Sequence, residues 1–162
     1  MTSEQINLVQ FINQQKLSEA LTVKEVQLFV DYTEVVTCNK DEVIADIGEV
    51  GEALYFVLEG ATALFHDESG TETEVGRVTT GELMGEMSFF DREPRSVRLK
   101  AIEKNTKLLK LSRTMYNRMR IEHPFIAVNL LEHAIVSLDH LFRQVSSEVA
   151  TYSQFLYGKG KH

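Results

Sequence analysis

The central part of the chain, residues 33–112, alternates short runs rich in Val, Leu, Ile and Phe with turns that contain glycine. Runs of this kind, bounded by such turns, are typical of β-strands. Several short strands at this spacing predict a sandwich, a barrel or a jelly roll. The predicted strands cover residues 33–38, 42–46, 53–59, 61–66, 73–78, 97–101 and 106–112.

The sequence on either side of this block has helical periodicity. Apolar side chains recur at three- and four-residue spacing in residues 1–32, where Thr22 is a suitable N-cap. A short helical pattern follows Ser112 and stops before Pro124, which fits the first turn of a new helix, and no Gly or Pro interrupts residues 125–157. With 162 residues the chain suits one domain. We predict a helical cover over 1–32, a β-block over 33–112, and a hinge helix followed by a long helix over 113–162.

The predicted long helix carries two apolar stripes. The first, the heptad seam, alternates spacings of four and three residues, as in a coiled coil: Leu131, Ile135, Leu138, Phe142, Val145, Val149, Tyr152 and Leu156. The second covers only the first half of the helix: Ala127, Leu130, Ala134, Ser137 and Leu141. We predict that the second stripe packs on the β-block and that the seam forms a parallel homodimer. The alternative is one wide apolar face packed entirely on the chain's own β-block.

Composition argues against several classes of function. The net charge of −7 opposes non-specific nucleic-acid binding, which depends on neutralising many phosphates. Cys38 is the single cysteine, His66 is the only histidine in the β-block, and no GxSxG motif occurs. We therefore expect no enzyme, no catalytic residues, no metal and no cofactor. The first residues lack a secretory signal and no run approaches the roughly 20 apolar residues of a membrane span, so we expect a cytoplasmic protein.

Residues 81–101, GELMGEMSFFDREPRSVRLKA, carry the chemistry and are called the cassette below. Two glycines bracket a short apolar strand end, and Glu86 then opens a helical turn, whose first N–H groups lack partners and favour an anion. Arg95 arrives from the next strand and can add a bidentate contact to a phosphate. A carboxylate would repel that phosphate, so Glu86 suits a ribose hydroxyl instead. The structural alternative is an ion pair between Glu86 and Arg95 that ties the turn to the strand.

With these residues the chain resembles the cyclic-nucleotide-binding domain family, shared by bacterial catabolite activator proteins and regulatory subunits of protein kinase A. The resemblance implies a mainly β fold, an eight-stranded β-roll with N-terminal helices and a long C-terminal helix. It implies that backbone amides and one guanidinium hold the cyclic phosphate: those near Gly85, Glu86, Met87 and Ser96, with Arg95. It also implies that Glu86 accepts the ribose 2′-OH and that Leu64 and Val78 line the base pocket.

The resemblance also bears on ligand identity. Family members that prefer guanine commonly carry a hydroxyl two residues after the arginine, where this chain has Val97. A valine side chain forms no hydrogen bond, so cyclic AMP is favoured over cyclic GMP. The long helix is expected to close over the base, with contacts from residues 137–143. Arg92 and Arg98 are expected at solvated positions.

Three biological roles remain open at this point. The first is a regulatory receptor that acts through an unknown downstream partner. The second is an interaction or dimerisation module with a vestigial site. The third is a truncated transcription regulator, because catabolite activator relatives continue into a helix-turn-helix domain, whereas this sequence ends at GKGKH. Direct DNA binding is therefore not expected.

Overall fold

Within residues 2–158, which the computed structural model describes, eight strands form two antiparallel sheets. The strands are β1 (Glu34–Cys38), β2 (Val43–Ala45), β3 (Ala53–Glu59), β4 (Ala61–Glu68), β5 (Thr71–Thr79), β6 (Leu83–Met84), β7 (Arg98–Ala101) and β8 (Thr106–Ser112). The first sheet has the order β1-β8-β3-β6 and the second β2-β7-β4-β5. The predicted β-roll is confirmed, and β6 is the short strand end expected between the two cassette glycines.

Five α-helices within the described residues flank the sheets: α1 (Ser3–Asn13), α2 (Val23–Asp31), α3 (Glu86–Asp91), α4 (Arg113–Glu122) and α5 (Pro124–Tyr157). The Thr22 side chain caps α2 by accepting a hydrogen bond from the Glu25 amide at 3.2 Å, as predicted. The long helix has the predicted start and end. The last four residues of the predicted C-terminal segment, 159–162, lie outside the described residues, as does residue 1.

β3 is apolar along its length because both of its faces are covered. Ala53, Tyr55 and Val57 face the space between the sheets, called the roll interior below, and belong to its apolar cluster. Leu54 and Phe56 point the other way, into a cluster formed with the helices. All sheet residues of that second cluster belong to the first sheet. The helices therefore cover that sheet from outside and leave the roll interior to the side chains of the strands.

Only the first half of α5 is buried, in the apolar cluster that the helices form with the first sheet. Ala127, Leu130 and Ala134 of the predicted second stripe are buried, whereas the seam residues Phe142 and Val149 are 71% and 62% exposed. By length and composition the helix could also cross a membrane. The sequence prediction concerned an unbroken apolar run, and α5 contains none, because its apolar residues are spread over two faces of the helix.

The connection between α4 and α5 is a single residue, His123, with φ −138° and ψ 68°. The Tyr32 hydroxyl of the N-terminal helical region donates a hydrogen bond to the Glu122 carboxylate beside it. The rings of Tyr32 and His123 meet edge to face, with centroids 5.8 Å apart. The break in the helix therefore falls at the predicted hinge, and side-chain contacts to the N-terminal cover hold it.

Candidate functional site

The cassette folds as a strand end, a left-handed glycine and a short helix. Gly85 has φ +89° and caps the N-terminus of α3. A Cβ at this position would lie 3.3 Å from the Ala53 carbonyl oxygen, so backbone conformation and space both favour glycine. The first N–H groups of α3 have no backbone acceptor within the helix, and the Glu86 amide donates to its own carboxylate. They begin at Glu86, on the side of the cassette where Arg95 also lies.

Arg95 is buried, with 8% of its surface exposed. Its amide donates to the Glu49 carbonyl and its carbonyl accepts from the Gly48 amide, both at 2.8 Å, which fixes the backbone on the loop before β3. The Nε atom is buried and has no hydrogen-bond partner among the described residues. Burial lowers the pKa of the guanidinium, against the opposing charges of Tyr55, Glu49 and Glu86. The site therefore holds a largely buried cation with an unused hydrogen-bond donor at Nε.

The guanidinium of Arg95 lies between two glycines. Its Nη2 atom is 2.9 Å from the point where a Cβ at Gly51 would stand and 3.5 Å from the corresponding point at Gly85. Gly85 and Arg95, both predicted ligand residues, are therefore brought together. Gly51 falls in one of the glycine-containing turns between predicted strands, and nothing in the sequence indicates which side chain approaches it.

Glu86 is also buried, with 7% of its surface exposed. Its carboxylate accepts a hydrogen bond of 2.8 Å from the Ser137 hydroxyl of α5. Burial raises the pKa of this carboxyl, while its own amide, the Ser137 hydroxyl and the Arg95 charge act in the opposite direction. Glu86 and Arg95 attract each other electrostatically, but they form no salt bridge among the described residues, which argues against the purely structural alternative.

The other predicted residues differ in their surroundings. Val78 is buried on β5 in the roll interior, and Leu64 of β4 packs partly buried against the same cluster. Val97 is half-buried directly before β7, whereas Ser96 is exposed and the Met87 side chain is 54% exposed. Met87 and Ser96 can therefore contribute their backbone amides, as predicted, more readily than their side chains.

A set of contacts behind the cassette was missed by the sequence analysis. The Gly51 amide donates to the Ser88 hydroxyl at 2.7 Å, and this hydroxyl donates to the Glu93 carbonyl at 2.6 Å. Arg113, at the start of α4, donates to the carbonyls of Phe89 and Gly51 and lies 4.4 Å from the centre of the Phe89 ring. These contacts join α3, the loop before β3 and α4 across positions far apart in sequence.

A cavity of about 340 Å³ reaches the Arg95 guanidinium from the side of this loop. Its other lining residues include Tyr55, Gly51, Ala53, Lys110 and Arg113. Among the predicted ligand residues, Arg95 is the member that lines it. Arg95 thus borders this cavity, whereas Glu86 lies on the side covered by α5.

Arg98 is not at a solvated position, contrary to the prediction. Its side chain is 20% exposed and pairs with Asp46 and Glu72, both at 2.8 Å, and with Asp67 at 3.3 Å. These carboxylates raise the pKa of the Arg98 guanidinium. The two arginines therefore differ sharply. Arg98 is surrounded by carboxylates, whereas Arg95 has no hydrogen-bonded partner at Nε among the described residues.

Known proteins are similar to this chain in sequence and in fold. The cyclic AMP receptor protein of Thermus thermophilus is 34% identical in an alignment 143 residues long that covers 83% of this chain and 66% of that protein. The crystal structure of the catabolite activator protein of the same organism superposes with a TM-score of 0.69 at 33% identity, over 85% of this chain and 62% of that one.

A lysophospholipase, NTE1 of Pyricularia oryzae, is 38% identical over 106 residues, which are 64% of this chain but only 7% of that enzyme. The chain thus spans less than two thirds of the length of each of these relatives. A family model described as the cyclic nucleotide-binding domain matches residues 35–123. This chain belongs to the cyclic nucleotide-binding domain family.

Proposed function

We propose that the chain is a regulatory receptor module for a cyclic nucleoside monophosphate, with cyclic AMP favoured over cyclic GMP. The cyclic phosphate binds the Arg95 guanidinium and the cassette amides near Gly85, Glu86, Met87 and Ser96. The ribose 2′-OH donates to the Glu86 carboxylate. The base lies near Leu64, Val78 and Val97. This arrangement binds the nucleotide and provides no group for chemistry on it.

The observation that carries the proposal is the buried guanidinium of Arg95. Burying a cation without hydrogen-bonded partners is unfavourable, and an anion that accepts from it removes that cost. Its Nε has no such partner among residues 2–158. Arg98 makes the contrast, since Asp46, Asp67 and Glu72 satisfy it. A phosphate is the anion that suits a fork-shaped guanidinium beside first-turn amides.

The preference for cyclic AMP rests on the base pocket and on one relative. Leu64, Val78 and Val97 present apolar surface, and none can accept a hydrogen bond from the guanine amino group. A buried donor without an acceptor costs about 1–3 kcal/mol. The Thermus thermophilus relative is named a cyclic AMP receptor protein, which supports the same preference.

Isothermal titration with cyclic AMP, cyclic GMP and 5′-AMP tests the proposal. We expect cyclic AMP to bind at least about 10-fold more tightly than cyclic GMP. Equal or tighter binding of cyclic GMP would contradict the base preference alone. Failure of both cyclic nucleotides to bind would contradict the receptor function and favour the module with a vestigial site.

We propose that ligand binding is communicated to a downstream partner by the position of α5. Ligand binding shifts the population between arrangements of this helix relative to the roll, to the extent that the ligand binds them with different affinity. The pivot is His123, and the helix closes over the nucleotide. We propose that the module acts in the cytoplasm on a downstream partner that reads this position.

The second half of α5 is proposed to form a parallel homodimer. Phe142, Val145, Val149 and Tyr152 of the heptad seam are all exposed in the single chain. A stripe of apolar side chains at heptad spacing is stabilised by packing into the corresponding stripe of another helix. The occupant that fits this spacing best is therefore a second copy of the chain.

We expect Val149→Asp to weaken dimerisation by at least about 10-fold, because a carboxylate would be buried at the seam. Ser147→Asp adds the same charge on an exposed position outside the seam and should leave the dimer intact. Sedimentation velocity over a concentration series measures both. A monomeric wild-type chain, or equal dimerisation of the two variants, would contradict the proposed interface.

A further inference from the structure

A hydrogen bond joins α5 directly to the cassette. The Ser137 hydroxyl donates to the Glu86 carboxylate at 2.8 Å, across 51 positions of sequence. Ser137 lies one turn beyond Ala134, the last buried residue of the helix. The Ser137–Glu86 hydrogen bond therefore lies at the point where α5 emerges from the buried cluster. This hydrogen bond can form only while the helix is docked.

The carboxylate of Glu86 can serve two donors at once. An ionised carboxylate accepts at two oxygens and has about four lone-pair directions, so one hydroxyl does not saturate it. Ser137 donates to one oxygen, Oε1. Glu86 is buried, so the Ser137 hydroxyl holds its carboxylate in one orientation and favours the ionised form. An oriented, ionised carboxylate accepts a second hydrogen bond more readily.

We propose that Ser137 is a positioning residue that makes recognition of the ligand's 2′-hydroxyl depend on α5. The inference rests on the proposed function, since it assigns the ribose to Glu86. Ser137 orients the Glu86 carboxylate, and the ribose 2′-hydroxyl donates a hydrogen bond to a lone pair that Ser137 leaves free. The position of α5 is thereby coupled to the ribose through the Glu86 carboxylate, which both Ser137 and the 2′-hydroxyl contact. This coupling does not require any contact between the helix and the base.

Thermodynamic linkage makes this dependence reciprocal. If docking of α5 strengthens binding of the 2′-hydroxyl, the 2′-hydroxyl must strengthen docking of α5 by the same factor. A ligand without that hydroxyl still neutralises Arg95 but cannot contribute to this coupling. The pair of cyclic AMP and 2′-deoxy-cyclic AMP therefore isolates the effect from the phosphate and the base.

The test compares the affinities of cyclic AMP and 2′-deoxy-cyclic AMP for four versions of the 162-residue chain: wild type, Ser137→Ala, Ser137→Thr and Ser146→Ala. We expect the wild type to favour cyclic AMP by about 10-fold or more, since a hydrogen bond to a charged group is lost with the hydroxyl. Ser137→Ala should reduce this ratio by about 3- to 10-fold. Ser137→Thr keeps the hydroxyl and should restore the ratio, and Ser146→Ala, at an exposed position of the same helix, should not change it.

A purely structural role of Ser137 would weaken both nucleotides equally, and an unchanged ratio in Ser137→Ala would overturn the inference. A second measurement uses Glu86→Gln: in that background Ser137→Ala should leave the ratio unaltered, and an equal reduction in both backgrounds would overturn it too. If wild type binds neither nucleotide, the proposed function itself fails, an outcome distinct from binding with an unchanged ratio. Thermal melting of each variant verifies that it is folded.

Discussion

Arg95→Ala is expected to lose at least about 30-fold in affinity for cyclic AMP, equivalent to about 2 kcal/mol, without losing thermal stability. The loss of affinity follows from removing the charge-assisted contact to the phosphate. Stability is retained because the guanidinium is buried and its Nε has no hydrogen-bond partner among the described residues. Removing it relieves a desolvated charge and breaks no ion pair.

Arg98→Ala is the matched control and should show the opposite pattern. This arginine lies three positions away and pairs with Asp46, Asp67 and Glu72. Its removal leaves Asp46 and Asp67 without their cation and Glu72 with Lys100 alone, so the melting temperature should fall while the affinity for cyclic AMP stays within about 3-fold of wild type. Calorimetric titration and thermal melting of both variants decide the matter. Arg95→Ala binding like wild type, or melting far below it, would contradict the assigned role.

Gly51→Ala should impair both folding stability and ligand binding. The new methyl group would stand 2.7 Å from the Phe89 amide nitrogen and 2.9 Å from Nη2 of Arg95. Backbone cannot move as a flexible side chain can, so α3 and the guanidinium must shift together. Overpacking of this kind costs about 1–3 kcal/mol, and we expect the affinity for cyclic AMP to fall by at least about 10-fold.

Gly48→Ala separates this steric effect from backbone strain in the same loop. Gly48 has φ +86° with open space around its Cβ position, so alanine there costs about 1 kcal/mol of backbone strain. It leaves Arg95 in place, and cyclic AMP should bind as to wild type. Urea denaturation gives the free energy of unfolding, and titration gives the affinity. If Gly51→Ala bound cyclic AMP as well as Gly48→Ala does, the close approach at Gly51 would have no functional role.

The local pattern of apolar and turn residues was sufficient to predict most of the strands and helices. β3 and β8 begin and end at the predicted residues, because apolar runs bounded by turn residues are local signals. β6 has only two residues and is too short to carry an alternation of its own. The cassette could be identified because Gly85, Glu86 and Arg95 lie close together in the sequence.

Contacts between distant positions could not be predicted in the same way. Ser88 and Arg113 are joined to Gly51 across 37 and 62 positions, and neither residue type indicates such a partner. Arg98 was misjudged for the same reason, since its three carboxylates come from the ends of other strands and from a loop. Ser137 fell in the region expected to contact the base, but its bond to Glu86 depends on where the helix crosses the cassette.

The uninterrupted length of α5 has a mechanical consequence. With 34 residues it is a rod about 50 Å long, attached at one end through His123. A rotation of about 10° at that attachment would carry the far end through about 9 Å, given the length of the rod. Ser137 lies about 20 Å along this rod, so leverage alone multiplies a displacement beside the Glu86 carboxylate by about 2.4 at the far end, where another macromolecule can detect it.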